Sequence, residues 1–175
     1  MGDGGSSPYS PELYDSWEGD AATSARALLD VLWPLLQPNR VVDVGCGTGT
    51  WLAEAERHGA TVLRGFDGPW VRVDRLASPR IRFSAVDLEE GVPSVERYDL
   101  AISVEVAEHV SVAHADQFVD GLVALSEVVL FSAAIPGQGG VSHVNEQWPS
   151  WWREKFAARG YEAFDIFRGA VWQTP

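Results

Sequence analysis

The chain has 175 residues, which is enough for one domain with a sizeable core but not for two. Its 25 acidic and 13 basic residues give a net charge of −12, which disfavours nucleic acid and anionic membrane surfaces as partners. A single cysteine excludes an internal disulfide and a multi-cysteine metal site. Residues 1–20 contain no apolar run that would indicate a secretory signal, so we expect a cytoplasmic protein.

Strands and helices alternate along the chain after a Gly- and Ser-rich start. Residues 1–19 are expected to be a flexible N-terminal segment or lid, and 20–175 a single domain. The apolar spacing and the breakers predict helices over about 20–36, 50–58, 111–125 and 149–159, with Ser111 as an N-cap and a short helix starting at Pro69. They predict strands over about 40–44, 61–66, 81–86, 98–104, 128–134 and 161–167. This alternation predicts an α/β fold with a doubly wound, mostly parallel sheet.

The most informative segment is residues 41–52, a buried strand that runs into a glycine turn and then into a helix. Such a turn brings backbone N–H groups and the positive end of the helix close to a ligand. The dinucleotide fingerprint would need a third glycine at position 50, where Thr50 stands; the glycines are Gly45, Gly47 and Gly49. A nicotinamide oxidoreductase is therefore disfavoured, and a purely structural turn without ligand is the alternative.

Gly-x-Gly-x-Gly after an acid-containing strand resembles motif I of the class I S-adenosylmethionine-dependent methyltransferases, and the resemblance covers roughly residues 20–168. It implies that Asp67 holds the ribose hydroxyls and that Asp87-Leu88 lies at the adenine amino group. Asp43 would accept hydrogen bonds from the glycine-loop amides or reach the methionine amino group. The alternatives are an Asx turn for Asp67 and a turn cap for Asp87. The expected cofactor-binding residues are Asp43, Gly45, Cys46, Gly47, Gly49, Asp67, Gly68, Asp87, Leu88 and Glu105.

A second group follows the fourth strand, in residues 103–110. Glu105, Glu108 and His109 are spaced to share one face of a helical turn, and His143 comes from a later loop. Together they resemble small O-methyltransferases of the ubiquinone-biosynthesis type, and also the enzymes that methylate the 2′-hydroxyl at small-RNA 3′ ends. The second resemblance implies a divalent metal held by all four residues.

Two alternatives to the metal site stay open. One is a helical pair of Glu105 and His109 with an unrelated His143, and the other is His143 as a metal-free general base. The expected catalytic residues are His143, His109 and Glu105.

The chain also departs from the family, whose sheet normally has seven strands. Only residues 168–175 follow the sixth predicted strand, so the last strand is expected to be missing or truncated, or replaced at the sheet edge by a homodimer partner or another chain. Tyr9, Tyr14 and Trp17 are expected to form a lid over the cofactor. A cluster of three tryptophans is expected to be either an apolar substrate wall or helix packing: Trp148, Trp151 and Trp152.

The function predicted from these features is S-adenosylmethionine-dependent methylation of a small-molecule acceptor, most simply at oxygen. Nitrogen or carbon methylation is the nearest variant of that reaction. The alternatives are a non-catalytic, cofactor-binding partner of another methyltransferase, or a metal-dependent 2′-O-methyltransferase acting on RNA 3′ ends. The fold alone cannot choose among them.

Overall fold

The glycine turn lies in the middle of a five-stranded parallel sheet. The computed structural model describes residues 11–93 and 96–171. The strand order is β3-β2-β1-β4-β5, with β1 Arg40–Val44, β2 Val62–Asp67, β3 Ile81–Ala85, β4 Leu100–Val104 and β5 Val129–Ser132. The helices are α1 Pro11–Leu36, α2 Thr50–Arg57, α3 Ala115–Leu125, α4 Pro149–Ala157 and α5 Arg168–Val171, with short 3₁₀ turns at Val73–Arg75 and Ala107–His109.

The strand order reverses at β1, and this reversal positions the site. β1 pairs with β2 on one side and with β4 on the other, so that Asp43 lies level with Gly65 and Ile102. In an open α/β sheet the connections diverge at such a switch point and leave a crevice at the carboxyl ends of the strands. The glycine turn follows β1 and Glu105 follows β4, which places both at this crevice.

Alternating side chains of the strands bury the two faces of the sheet. Val41, Leu63 and Leu100 belong to a core cluster shared with α1 and α2. Val42 and Phe66 belong to a second cluster that α3 and α4 complete. The sheet is therefore covered on both faces, as expected for parallel strands, and the doubly wound α/β fold class is confirmed.

Three predicted boundaries differ in the structure. The first helix begins at Pro11 rather than at residue 20, so the boundary expected at residue 19 lies inside α1. Pro69 does not start a helix, because Val71 N–H donates to Gly68 O in a turn and the 3₁₀ turn begins only at Val73. Ser111 does not cap α3, because its N–H and hydroxyl both donate to Glu89, and the helix starts at Ala115.

The predicted sixth strand over 161–167 is wrong. The Tyr161 hydroxyl donates to the carbonyls of Val123 and Ser126, which ties the start of the segment to α3 and the turn after it. Asp165 Oδ1 then accepts the N–H of Arg168 at 3.1 Å and caps α5. Ile166 and Phe167 pack on the core cluster beneath α1, so the segment leaves the edge of β5.

Two predictions concern aromatic residues, namely the lid over the cofactor and the tryptophan cluster. The lid residues Tyr9, Tyr14 and Trp17 lie outside the residues whose side chains the structure describes. Trp152 is buried and packs on Phe131 of β5 with ring centroids 5.3 Å apart, which is helix packing onto the sheet. Trp148 is exposed. In the described part of the chain, no helix has the length and apolarity needed to cross a lipid bilayer.

Candidate active site

The glycines of the turn make room for neighbouring side chains. Gly45 and Gly49 have φ of +82° and +81°, in the left-handed region that favours glycine. A Cβ on Gly45 would collide with the side chain of Val106, and one on Gly49 would lie 2.5 Å from Ile81 Cδ1. The turn is fixed to β2, since Gly45 N–H and Cys46 N–H both donate to Phe66 O at 2.7 and 3.1 Å. Its shape is therefore fixed by contacts within the fold.

Asp67 closes the turn from the end of β2. One carboxylate oxygen accepts Gly47 N–H at 2.7 Å, and the other accepts its neighbour Gly68 N–H at 2.6 Å. Burial raises the pKa of Asp67, and the hydrogen bonds from Gly47, Gly68 and the Trp70 side chain oppose that rise. The Asx-like turn and a ligand-binding role are compatible, because each carboxylate oxygen has a second lone pair.

Asp43 is the most unusual group of the site. It is only 2% exposed, and its Oδ2 has no hydrogen-bond partner among the described residues. Burial, and then the charge of Asp67, raise the pKa of Asp43 well above its ordinary value. A buried carboxylate oxygen without a donor is costly, so this atom indicates a missing donor or cation. One role expected for Asp43 is to accept hydrogen bonds from the glycine-loop amides. The Gly47 N–H donates to Asp67 instead.

Cys46 lies under the turn and is chemically quiet. It is buried, and its Sγ occupies the space beside Gly65, where a Cβ would be only 2.7 Å away. Burial, and then the charges of Asp43 and Asp67, raise the pKa of the thiol far above its ordinary value. It is therefore a packing residue and not a nucleophile.

These residues surround a cavity of about 420 Å³, a size suited to one nucleoside-sized ligand. Of the ten predicted cofactor residues, Gly49 does not line it and nine do: Asp43, Gly45, Cys46, Gly47, Asp67, Gly68, Asp87, Leu88 and Glu105. Asp87 Oδ1 also accepts Glu89 N–H at 2.9 Å, so the turn-cap alternative is present alongside its place in the cavity wall. His109, Val110 and Ser142 line the cavity as well.

Glu105 does not share a helical face with Glu108 and His109, and that expectation is wrong. Its φ is +56°, and the 3₁₀ turn begins only at Ala107. The Glu105 carboxylate accepts Ser132 Oγ at 2.7 Å and Gln138 Nε2 at 2.9 Å. These bonds hold a strained residue at the cavity wall and tie the end of β4 to the loop after β5.

Three of the four residues expected at a metal do converge. One ligand atom each from Glu108, His109 and His143 lies within 4.8 Å of the others, and Glu105 is not part of this group. Glu108 is buried; desolvation raises its pKa to about 6, and its Oε2 has no hydrogen-bond partner in the described part of the chain. Burial, and then the nearby His143, lower the pKa of His109, so its imidazole is neutral at pH 7. Of the two histidines, His109 is the one that lines the cavity.

Sequence reasoning missed several residues of the site. Trp70 lines the cavity, covers Gly68 and hydrogen-bonds Asp67. Glu89 joins the cavity wall to Ser111 and His114 before α3. Glu146 accepts from His143 Nδ1 at 3.0 Å. Of these residues only Glu146 could have been found from the sequence, by the His-x-x-Glu spacing of residues 143 and 146.

Comparisons with known proteins agree with this geometry. The family model described as "Methyltransferase domain" matches residues 17–166. No sequence among the curated proteins matches the chain. An O-methyltransferase family protein from Burkholderia thailandensis aligns at TM-score 0.62 and 14% identity over 86% of this chain and 55% of its own. A magnesium protoporphyrin IX methyltransferase from Synechocystis, with SAH bound, aligns at TM-score 0.62 and 18% identity over 94% and 82%. A putative O-methyltransferase from Nostoc punctiforme aligns at TM-score 0.61 and 16% identity over 86% and 53%.

The chain belongs to the methyltransferase-domain family. Its fold is that of the class I S-adenosylmethionine-dependent methyltransferases, so the resemblance to that class is confirmed. The closer likeness to the ubiquinone-biosynthesis type stays a prediction. The chain spans about half the length of the Burkholderia and Nostoc proteins.

Proposed function

We propose that this domain transfers the methyl group of S-adenosylmethionine to a hydroxyl oxygen of a small molecule. One observation carries the cofactor assignment: Asp43, a residue of the wall of the 420 Å³ cavity, is buried, and its Oδ2 has no hydrogen-bond partner among the described residues. A cofactor with an ammonium group supplies the donors and the charge that this oxygen lacks. When bound, S-adenosylmethionine supplies an electrophilic methyl group, and the protein has to orient the acceptor and remove one proton.

We assign proton removal to His109. It lines the same cavity, at the wall formed by the segment after β4, and its lowered pKa keeps it in the neutral form that accepts a proton. Glu105 contributes by fixing the end of β4 through Ser132 and Gln138. His143, the base favoured by sequence reasoning, is not a cavity-wall residue and lies behind His109, so a supporting role suits it better.

The charge of the cavity restricts the acceptor. Asp43, Asp67, Asp87, Glu89 and Glu105 all line it, and the only basic side chain at the described wall is that of His109. A carboxylate or phosphate on the acceptor would meet several acids and no arginine or lysine. We therefore expect neutral or cationic hydroxyl compounds, and we regard an RNA 3′ end as the weaker candidate.

A divalent metal at Glu108, His109 and His143 is the second candidate mechanism. The convergence of their ligand atoms favours it, as does Glu108 Oε2, which has no hydrogen-bond partner in the part of the chain that the structure describes. Glu108, His109 and His143 would hold the ion, which would supply Lewis-acid chemistry that lowers the pKa of the acceptor hydroxyl. A cytoplasmic location, and a homodimer or partner chain that completes the edge of β5, stay predictions.

The test is methyl transfer from labelled cofactor to matched neutral and carboxylated acceptors, in chelator and then with added magnesium, manganese or zinc. His109→Ala should lower kcat by roughly 10²–10⁴-fold with unchanged cofactor affinity, as expected for loss of a general base. His58→Ala is the control, since that imidazole stacks on Trp33 away from the cavity. Activity that returns only with metal would replace the metal-free mechanism, and undiminished kcat in His109→Ala would refute the assignment of the base.

A further inference from the structure

The loop after β5 holds His143 against His109. The two rings meet edge to face, with centroids 5.0 Å apart and planes at 83°. His143 Nε2 faces the buried carboxylate of Glu108, with 3.9 Å to its Oε1. His143 therefore contacts both the buried acid and the imidazole at the cavity wall, whose Nδ1 also meets Ser142 O at 3.3 Å.

Glu146 fixes one side of the His143 ring. Its Oε1 accepts Gly139 N–H at 2.7 Å and contacts His143 Nδ1 at 3.0 Å, and its Oε2 accepts Gly137 N–H at 2.8 Å. Because both oxygens of the Glu146 carboxylate already accept backbone N–H groups, the carboxylate faces the His143 ring as a hydrogen-bond acceptor. The proton of a neutral His143 must then be on Nδ1, which leaves the Nε2 lone pair facing Glu108.

Gly140 fixes the other side of the ring. A Cβ at this position would overlap the imidazole, with 2.5 Å to Cε1 and 2.8 Å to Cδ2. Its φ lies outside the left-handed region, so an alanine there is not strained by its backbone and acts only through the ring. Substitutions of Glu146 and of Gly140 should therefore each displace the His143 ring independently of the other.

We propose that Glu146 and Gly140 are positioning residues, which hold His143 as the Nδ1–H tautomer in the place where it supports His109. This inference rests on the proposed function, because His109 is the group assigned to the acceptor proton. The structure of the loop itself is independent of any substrate. The tautomer and the ring position can therefore be measured without turnover.

The first experiment is ¹⁵N NMR of the ring nitrogens in the full chain, which has four histidines. In its neutral form, His143 should carry the proton on Nδ1 and none on Nε2. Glu146→Ala should remove this preference, and Glu146→Gln should keep it in part because the amide oxygen can still accept. A wild-type His143 with its proton on Nε2, or a tautomer unchanged in Glu146→Ala, would overturn the proposal.

The second experiment separates positioning from folding. Glu146→Ala and Gly140→Ala should each lower kcat by about 10- to 100-fold, in the range for residues that orient another ligand or catalytic group, with KM for the cofactor unchanged. Gly140→Ala keeps the loop backbone, so it serves if Glu146→Ala does not fold. Glu96→Ala is the control, an acid that bonds Arg40 far from the loop. If the wild-type protein methylates no hydroxyl acceptor but the NMR result holds, the proposed function fails while the placement of His143 by Glu146 and Gly140 stands. If Gly140→Ala displaces the His143 ring but keeps full kcat, the positioning role is refuted.

Discussion

Replacing Asp43 by asparagine tests the cofactor site most directly. The substitution keeps the size of the side chain and one acceptor oxygen, but it removes the charge and turns an N–H₂ group toward the ligand. Because Asp43 is 2% exposed and no residue in the described ranges hydrogen-bonds its Oδ2, the ligand's ammonium would meet this carboxylate away from water. We therefore expect Asp43→Asn to fold and to bind S-adenosylmethionine much more weakly.

The size of the loss follows from the burial of the group. A hydrogen bond to a charged partner contributes about 1.5–3 kcal/mol, and a desolvated pair belongs toward the upper end of that range. The corresponding loss of affinity is roughly 10- to 150-fold. The neighbouring Asp67 stays in place, since its oxygens are held by Gly47 and Gly68.

Isothermal titration with three ligands measures this effect. S-adenosylmethionine and its demethylated product both carry the ammonium group, whereas 5′-methylthioadenosine lacks the amino-acid part altogether. The first two should lose affinity for Asp43→Asn, and methylthioadenosine should bind as it does to wild type. Equal losses for all three ligands would mean that Asp43 acts through the shape of the turn, and no loss at all would refute the ammonium contact.

The same substitution should change how stability depends on pH. The pKa of Asp43 is raised on folding, so its protonated form stabilises the fold below the unfolded pKa of about 4, and this contribution is lost as pH rises through the folded pKa. Ligand-free wild type should therefore lose more stability than Asp43→Asn as pH rises from about 4 to 8. Parallel thermal-unfolding curves for the two proteins over that range would contradict the raised pKa.

Two further substitutions test the walls of the cavity. Asp67→Ala should weaken binding of the cofactor and of methylthioadenosine alike by more than tenfold, because both contain the ribose; unchanged titrations would show that the ribose lies elsewhere. Gly45→Ala should lower the free energy of unfolding by about 2–5 kcal/mol, from a left-handed φ plus the collision with Val106. Gly160→Ala has the same left-handed φ of +82° but meets nothing within 4 Å, so its cost in chemical denaturation should be about half as large or less, and equal costs would exclude a contribution from the collision.

The parts of the fold that sequence reasoning predicted are those with local signals. Val41, Val42 and Val44 before three closely spaced glycines indicate a strand, a turn and a helix within a dozen residues, and β1 and α2 are confirmed. The acid at the end of the second strand was readable for the same reason. Such signals depend on neighbours in the chain, which the sequence gives directly.

The errors arose where a distant residue decides the structure. Ser111 looks like a cap until Glu89, 22 residues away, takes both its donors. Glu105 fits a helical spacing, but Ser132 and Gln138 hold it in a left-handed conformation. The segment 161–167 alternates like a strand, yet the Tyr161 hydroxyl donates to the distant carbonyls of Val123 and Ser126. No local pattern carries these long-range contacts, so they could not be read in advance.

The buried thiol of Cys46 is a built-in probe for local opening of the ligand site. It is the only cysteine of the sequence and lies beneath the turn that shapes the ligand cavity. The residue is only 6% exposed, so a thiol reagent reaches the sulfur chiefly when the turn separates from β2, and the rate of labelling follows openings of the site. A ligand that binds only the closed form slows labelling by the factor 1 + [L]/Kd. Cofactor affinity can thus be followed on the unmodified sequence, without a substrate and without an introduced probe.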